Sequence, residues 1–387
     1  MKKQLLSTSA IALGVAFAAP ASAQEWDMDW GGFAFNHIAI VDVKSNGNPA
    51  NAPTGSDFDG VNTFTSAEFI FRPSVTLDNG MTFGYEYQIE GINTNNVDES
   101  YLSISSDTLG KILVGSENSA GYLLMGSVYT PTVGTMAIAS RSTFGFIPLT
   151  GSGGWVQAQT SPLTEVAGNN DVARITYFTP SFNGLTVGVS YAPSGERNAR
   201  NNLALDFNAD SLTDIFDIGV AYSQSFNGVD VGLAARWGTG NTNVVGVSDP
   251  TTWGIGGTVG YSGFTFGATY AENNNGGPNG NNGANPASVS LMTPHTGGDQ
   301  AGWTIGATYD LEGPWAIGVS TVQGEMTNNP GQPKSDYEAY HVGAERKLGS
   351  GVSWEVYYVY TETNNGAVAG NPTIEASMVG TGINLRF

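Results

Sequence analysis

The sequence predicts an all-β chain, a transmembrane antiparallel β-barrel of about sixteen strands. Three observations carry this expectation. Strand-length segments from about Gly31 to Phe387 alternate apolar and polar residues with a period of two. Short Gly-containing turns and longer polar segments succeed one another between those strands. Beyond the N-terminus no window supplies the roughly 20 consecutive apolar residues a spanning helix needs, so a membrane-embedded form has to close as a barrel.

The N-terminus reads as a secretory signal. Lys2 and Lys3 precede an apolar stretch through Ile11 to Ala19, and Ala21-Ser22-Ala23 forms a small-x-small cleavage site before Gln24. Pro20 interrupts the stretch far short of a membrane span. The expected organisation is therefore a cleaved signal peptide at 1–23 and one barrel domain at 24–387. With no acid in residues 1–23, loss of the two lysines takes the formal charge from −20 to −22. So acidic a chain repels nucleic acid and favours cations near its surface.

The clearest repeating unit runs from Phe69 to Leu77, turns through Asp78-Asn79-Gly80, and returns from Met81 to Ile89. In the returning strand Met81, Phe83, Tyr85, Tyr87 and Ile89 alternate with Thr82, Gly84, Glu86, Gln88 and Glu90, so one face is apolar and aromatic and the other polar. Comparable turns stand at Asn183-Gly184, Asn227-Gly228, Ser262-Gly263, Glu312-Gly313 and Gly349-Ser350-Gly351. Longer segments lie near 44–65, 91–99, 116–170, 192–212, 238–251, 271–300, 323–336 and 362–375. Short turns at one end and long loops at the other are the asymmetry of outer-membrane barrels. Segment 271–300 is Asn/Gly-rich and reads as a surface loop.

Trp237, Trp253, Tyr261, Phe264, Tyr270, Trp303, Tyr309, Trp315, Trp354, Tyr358 and Tyr360 share the apolar parity, as expected of rings selected by bilayer interfaces. The opposite parity is largely Gly, Ser and Thr, whereas the outer face of a soluble sandwich carries Lys and Glu. Two strands leave their facing open. Strand 336–347 has Glu338 and Arg346 on one parity and His341 and Glu345 on the other, and strand 31–43 could meet another subunit instead of lipid.

Catalytic patterns are missing. There is no phosphate-cradling loop, no His-Glu-x-x-His and no Gly-x-Ser-x-Gly, and His37, His295 and His341 are the only histidines. Without Cys, a thiolate metal site and a disulfide framework are both excluded, and the chain is not expected to be an enzyme. Asp57-Phe58-Asp59-Gly60 and Asp27-Met28-Asp29 space acids as calcium loops do, but neither continues into the full pattern. No cofactor is expected, and any Ca2+ binding would be weak, with no ligands to name.

Several stretches resemble general bacterial outer-membrane porins, particularly alphaproteobacterial, Rhodobacter-type ones. They are the signal and Gln24, Val97-Asp98-Glu99-Ser100-Tyr101-Leu102, Gly110-Lys111-Ile112-Leu113-Val114-Gly115-Ser116-Glu117-Asn118, the Phe-Asn-Gly turns and terminal Phe387. The resemblance implies a passive channel for ions and small hydrophilic solutes in the bacterial outer membrane. It also implies a homotrimer in outer-membrane lipid, and a long third loop, here about 116–170, folded into the lumen. Phe387 would signal to the barrel assembly machinery. Family constrictions oppose basic wall residues to loop acids. In this chain Arg72, Lys111, Arg174 and Arg236 fall on lumen parity, Glu117, Glu165 and Asp171 are the acids of the loop segment, and Arg141 lies within the loop. With only 8 arginines, the chain departs from the family's richest clusters. A substrate-selective channel, lined by an aromatic slide or a single-sign ladder, and a plugged, adhesin-like barrel are the alternatives. The Gly/Ser/Thr lumen parity favours weak selectivity.

Overall fold

A computed structural model describes residues 25–45, 58–91, 97–136, 138, 165–166, 171–199, 212–243, 248–274, 299–327, 331–364, 366 and 373–387. The 1–23 signal, Arg141 and most of segment 271–300 lie outside these residues. Sixteen antiparallel strands form a closed barrel in which each strand pairs with its sequence neighbours and β1 pairs with β16. The first eight are β1 Asp27–Ser45, β2 Phe58–Thr76, β3 Thr82–Glu90, β4 Val97–Ser106, β5 Gly110–Ser116, β6 Ala173–Phe178, β7 Leu185–Ser194 and β8 Leu212–Phe226. The others are β9 Val229–Thr242, β10 Thr251–Tyr261, β11 Phe264–Asn274, β12 Gln300–Asp310, β13 Trp315–Met326, β14 Ser335–Gly349, β15 Val352–Asn364 and β16 Thr373–Arg386.

Strands run from 6 residues in β6 to 19 in β1 and β2, so several extend into segments the sequence reads as loop. Periodicity fades there because both faces of a strand beyond the bilayer meet polar surroundings. The tight turns follow their residues. Asn183-Gly184, Asn227-Gly228 and Ser262-Gly263 each place two successive residues at positive φ, the backbone of a two-residue turn that matches strand twist.

Closure brings the two chain ends together. Gly32 N–H donates to Phe387 O at 2.9 Å and Phe387 N–H to Gly32 O at 3.1 Å, while the Phe387 ring lies 5.7 Å from that of Phe69. Phe387 thus seals the seam with its backbone and leaves its ring exposed.

Exposure follows the predicted alternation. Val229, Val231, Leu233, Ala235 and Trp237 face outward from β9, whereas Gly232, Ala234, Arg236 and Gly238 are buried toward the interior. The two ambiguous strands resolve in the same way. Ile38 and Ile40 of β1 are exposed while Ala39, Val41 and Val43 are buried. In β14, Tyr340, Val342 and Arg346 face outward while His341 and Glu345 face inward. Leu233→Arg, at the middle of an outward row, should therefore cost about 2–4 kcal/mol of folding stability in lipid. Ser223→Arg, one strand away on inward parity, should leave the urea midpoint of vesicle-embedded protein nearly unchanged; equal losses would reverse the facing assigned here.

Candidate functional site

Between β5 and β6 the chain does not cross straight to the next strand. Ser119 caps a six-residue helix, α1 (Ala120–Met125), its hydroxyl accepting from Tyr122 N–H at 3.3 Å, and a 3-10 turn follows at Gly126–Val128. The first turn of a helix leaves N–H groups without intrahelical acceptors. Here the inward face and the loop supply them. Ser119 N–H donates to Glu165 Oε1 at 2.7 Å, Ala120 N–H to Ser190 Oγ at 3.2 Å and Gly121 N–H to Asp217 Oδ1 at 2.6 Å.

The two carboxylates are matched by two buried guanidiniums. Arg236 Nη2 lies 2.5 Å from Asp217 Oδ2 and 3.9 Å from Glu165 Oε2, and Arg174 Nη1 lies 3.9 Å from Glu165 Oε2. All four side chains are 2% exposed or less. This cluster brings together three sequence-derived candidates, Glu165, Arg174 and Arg236. Their charges neutralise one another under the segment, where the family pattern would set them facing across an opening.

From α1 onward the segment lies along a row of inward glycines. A methyl group at Gly219 would come within 2.8 Å of Gly121 Cα, at Gly256 within 2.8 Å of Val128, at Gly267 within 2.6 Å of Pro131 and at Gly318 within 3.0 Å of Val133. At Gly306 it would overlap the Pro131 carbonyl. Thr130 hydrogen-bonds Thr304, which also bonds Thr269. Beyond them Thr135 donates through N–H to Glu355 Oε2 at 2.9 Å and through its hydroxyl to Glu355 Oε1 at 2.6 Å. His37 Nε2 stands 3.0 Å from the same carboxylate, its Nδ1 3.1 Å from Tyr357 Oη.

On β2 to β4 the inward row is polar. Arg72 Nε donates to Glu86 Oε2 at 3.1 Å, with Asp29 at 3.9 Å from Nη1. Gln88 Nε2 bridges Glu86 Oε1 and Glu99 Oε2, each at 2.6 Å, and Asn118 Nδ2 reaches Glu99 Oε1 at 2.9 Å. Glu68 and Glu90 stand opposite each other in register on the same face. Lys111 is exposed on the inward parity of β5. Within the loop segment, burial pushes the carboxyls of Glu117 and Asp171 above the usual range, and neighbouring acids add to the shift at Asp171.

Sequence reasoning missed Asp217, Glu355, Thr135 and Glu68, and it placed Glu86, Gln88 and Glu90 on the polar face without singling them out for the site. A carboxylate in the middle of a strand on the parity opposite Trp354, Val356 and Tyr358 was the available signal for Glu355. Among the described residues no group of three or more His, Cys, Asp or Glu is arranged to hold a metal ion.

The comparisons with known proteins follow this architecture. The family model described as Gram-negative porin matches residues 7–366. Among curated proteins no sequence matches. The fold is similar to the outer membrane channel DcaP of Acinetobacter baumannii, with a TM-score of 0.60, 10% identity, and 96% of this chain and 100% of that one covered. It is similar to the anion-selective porin from Comamonas acidovorans, with a TM-score of 0.57, 14% identity, and 94% and 100% covered. A trimer form of OmpT, an outer membrane protein of Vibrio cholerae, gives 0.58 and 12%, with 94% and 99% covered. At these identities the structures speak for the fold alone, and the family match carries the rest. The chain belongs to the Gram-negative porin family and is an outer-membrane channel.

Proposed function

We propose that the chain is a passive diffusion channel for ions and small hydrophilic solutes, narrowed by the segment between β5 and β6 and weakly selective for cations. The observation that carries this reading is the asymmetry of the inward face. From α1 onward the described part of the segment runs along β6–β16 and on to β1, and there Arg174 and Arg236 are matched by Glu165 and Asp217. The inward row of β2–β4 carries Glu68, Glu86 and Glu90 with Arg72 as its basic residue, and Glu99 is buried against Gln88 and Asn118. Charge beside a narrow passage acts on a permeating ion before it is screened, whereas acids on distant loops act only within about 8 Å at physiological salt.

Planar-bilayer recording across a salt gradient tests this. Wild type is expected to show a zero-current potential of cationic sign, and Arg72→Ser to increase it. The increase should shrink toward 1 M salt, where the screening length is about 3 Å. An anionic sign in wild type would reject the selectivity, and a silent bilayer with folded protein would reject the channel.

The quaternary and biogenesis readings stand beside it. Removal of residues 1–23 is a proposal that rests on the signal pattern, and assembly of three copies and recognition of Phe387 by the barrel assembly machinery are proposals that rest on the resemblance. The exposed apolar side chains of Ile38, Ile40, Val61 and Val379, on three adjacent strands, supply a surface suited to subunit contact.

A further inference from the structure

Charged residues on the outward parity are unevenly distributed. Near the long segments they are common, and include Asp42, Lys44, Glu272, Glu325, Glu338 and Glu362. In the half nearer the short turns, the outward rows of the described residues carry one charged side chain, Arg346 of β14. Its register partners are Trp315 on β13 and Trp354 on β15, so the three outward positions form a Trp-Arg-Trp row across adjacent strands. The guanidinium carbon lies 5.7 Å from the Trp315 ring centroid, and the two indoles meet edge to face at 5.7 Å. Trp354 Nε1 is committed to Thr381 Oγ1 at 2.7 Å.

Arg346 is exposed, and among the described residues it takes part in no ion pair; the flanking acids Glu345 and Glu355 belong to the inward parity. Above it on β14 stand Ala344 and Val342, and Ile317 and Val356 continue the apolar surface on the adjoining strands. Below it the chain turns at Gly349–Gly351. A cation at the edge of an apolar band and flanked by indoles sits at headgroup depth, where its complement is an anion. In an outer membrane the leaflet on the short-turn side is phospholipid.

We propose that the Trp315–Arg346–Trp354 row is a binding site for an anionic phospholipid of the inner leaflet, its phosphate held by the Arg346 guanidinium and its upper acyl chain lying on Ala344, Ile317 and Val356. A guanidinium forks onto two phosphate oxygens where an ammonium offers a point charge, and the Trp315 indole, packed edge to face on Trp354, lies beside it at the interface.

Native mass spectrometry of the detergent-purified protein, titrated separately with phosphatidylglycerol and phosphatidylcholine, tests the assignment. Wild type should prefer phosphatidylglycerol, and R346Q should weaken that binding about fivefold while leaving phosphatidylcholine unchanged, the effect of one basic residue at an anionic surface. R346K, which keeps the charge, should fall between them. Unchanged single-channel conductance in both variants establishes that the barrel is intact. Equal binding of phosphatidylglycerol by wild type and R346Q would overturn the proposal. So would displacement of the lipid by millimolar inorganic phosphate, which would mark an anion site without lipid specificity. Loss of oligomers in R346Q without loss of lipid would assign the row to a second copy of the chain instead.

Discussion

Arg236→Met is expected to destabilise the barrel by about 3–5 kcal/mol, because it leaves buried carboxylates without their principal cation. The Arg236 side chain has no exposed surface, and it lies 2.5 Å from Asp217, whose other oxygen accepts the Gly121 N–H of α1. Removing the guanidinium strands Asp217 between an inward wall and a helix end, and leaves Glu165 to Arg174 alone. The expected measurements are a lowered urea midpoint for vesicle-embedded protein and noisier single-channel currents as α1 works loose. Adding Asp217→Asn should recover much of the loss, since the amide oxygen still caps Gly121 and no unpaired charge remains. If the double variant is as unstable as Arg236→Met, the ion pair is not what fixes the segment.

Gly306→Val is expected to have the largest effect on conductance. Its Cβ itself would overlap the Pro131 carbonyl and press on the Thr130 side chain, so no rotamer change relieves the clash. Overpacking of this kind costs about 1–3 kcal/mol if the fold absorbs it. The segment is anchored by hydrogen bonds only at intervals, so it should yield before the barrel does. Single-channel conductance should rise above wild type while heat-modifiable barrel persists on gels. Wild-type conductance from a folded Gly306→Val channel would show that the segment does not narrow the passage at this level.

The glycine row also corrects the simplest reading of the lumen parity. A face rich in Gly, Ser and Thr suggested an unselective lining, yet Gly219, Gly256, Gly267, Gly306 and Gly318 are covered by residues 121–133. These small residues make room for chain, not for solute. The basic candidates divide on the same ground. Arg174 and Arg236 have the parity of Arg72 and Lys111, but a buried carboxylate from the loop and one from β8 turn them into anchors. Parity is a property of one strand, and no spacing along β6 or β9 encodes where residues 119 and 165 will return.

Sequence alone determined the barrel of this protein: the antiparallel class, the strand number, the turns at Asn183, Asn227 and Ser262, and, outside strands 31–43 and 336–347, which side chains face lipid. These follow from a two-residue period and from local positive-φ preferences, both of which act between neighbours in the chain. The tertiary structure decided which inward residues the β5–β6 segment covers and which stay with the passage, and it made Arg346 the one outward charge of the short-turn half among the described residues. Those outcomes depend on contacts between residues such as Gly121 and Asp217, or Thr135 and Glu355, that lie about a hundred or more positions apart. Only closure of all sixteen strands sets such distances, because each strand's height on the wall is fixed by the register of the one before it.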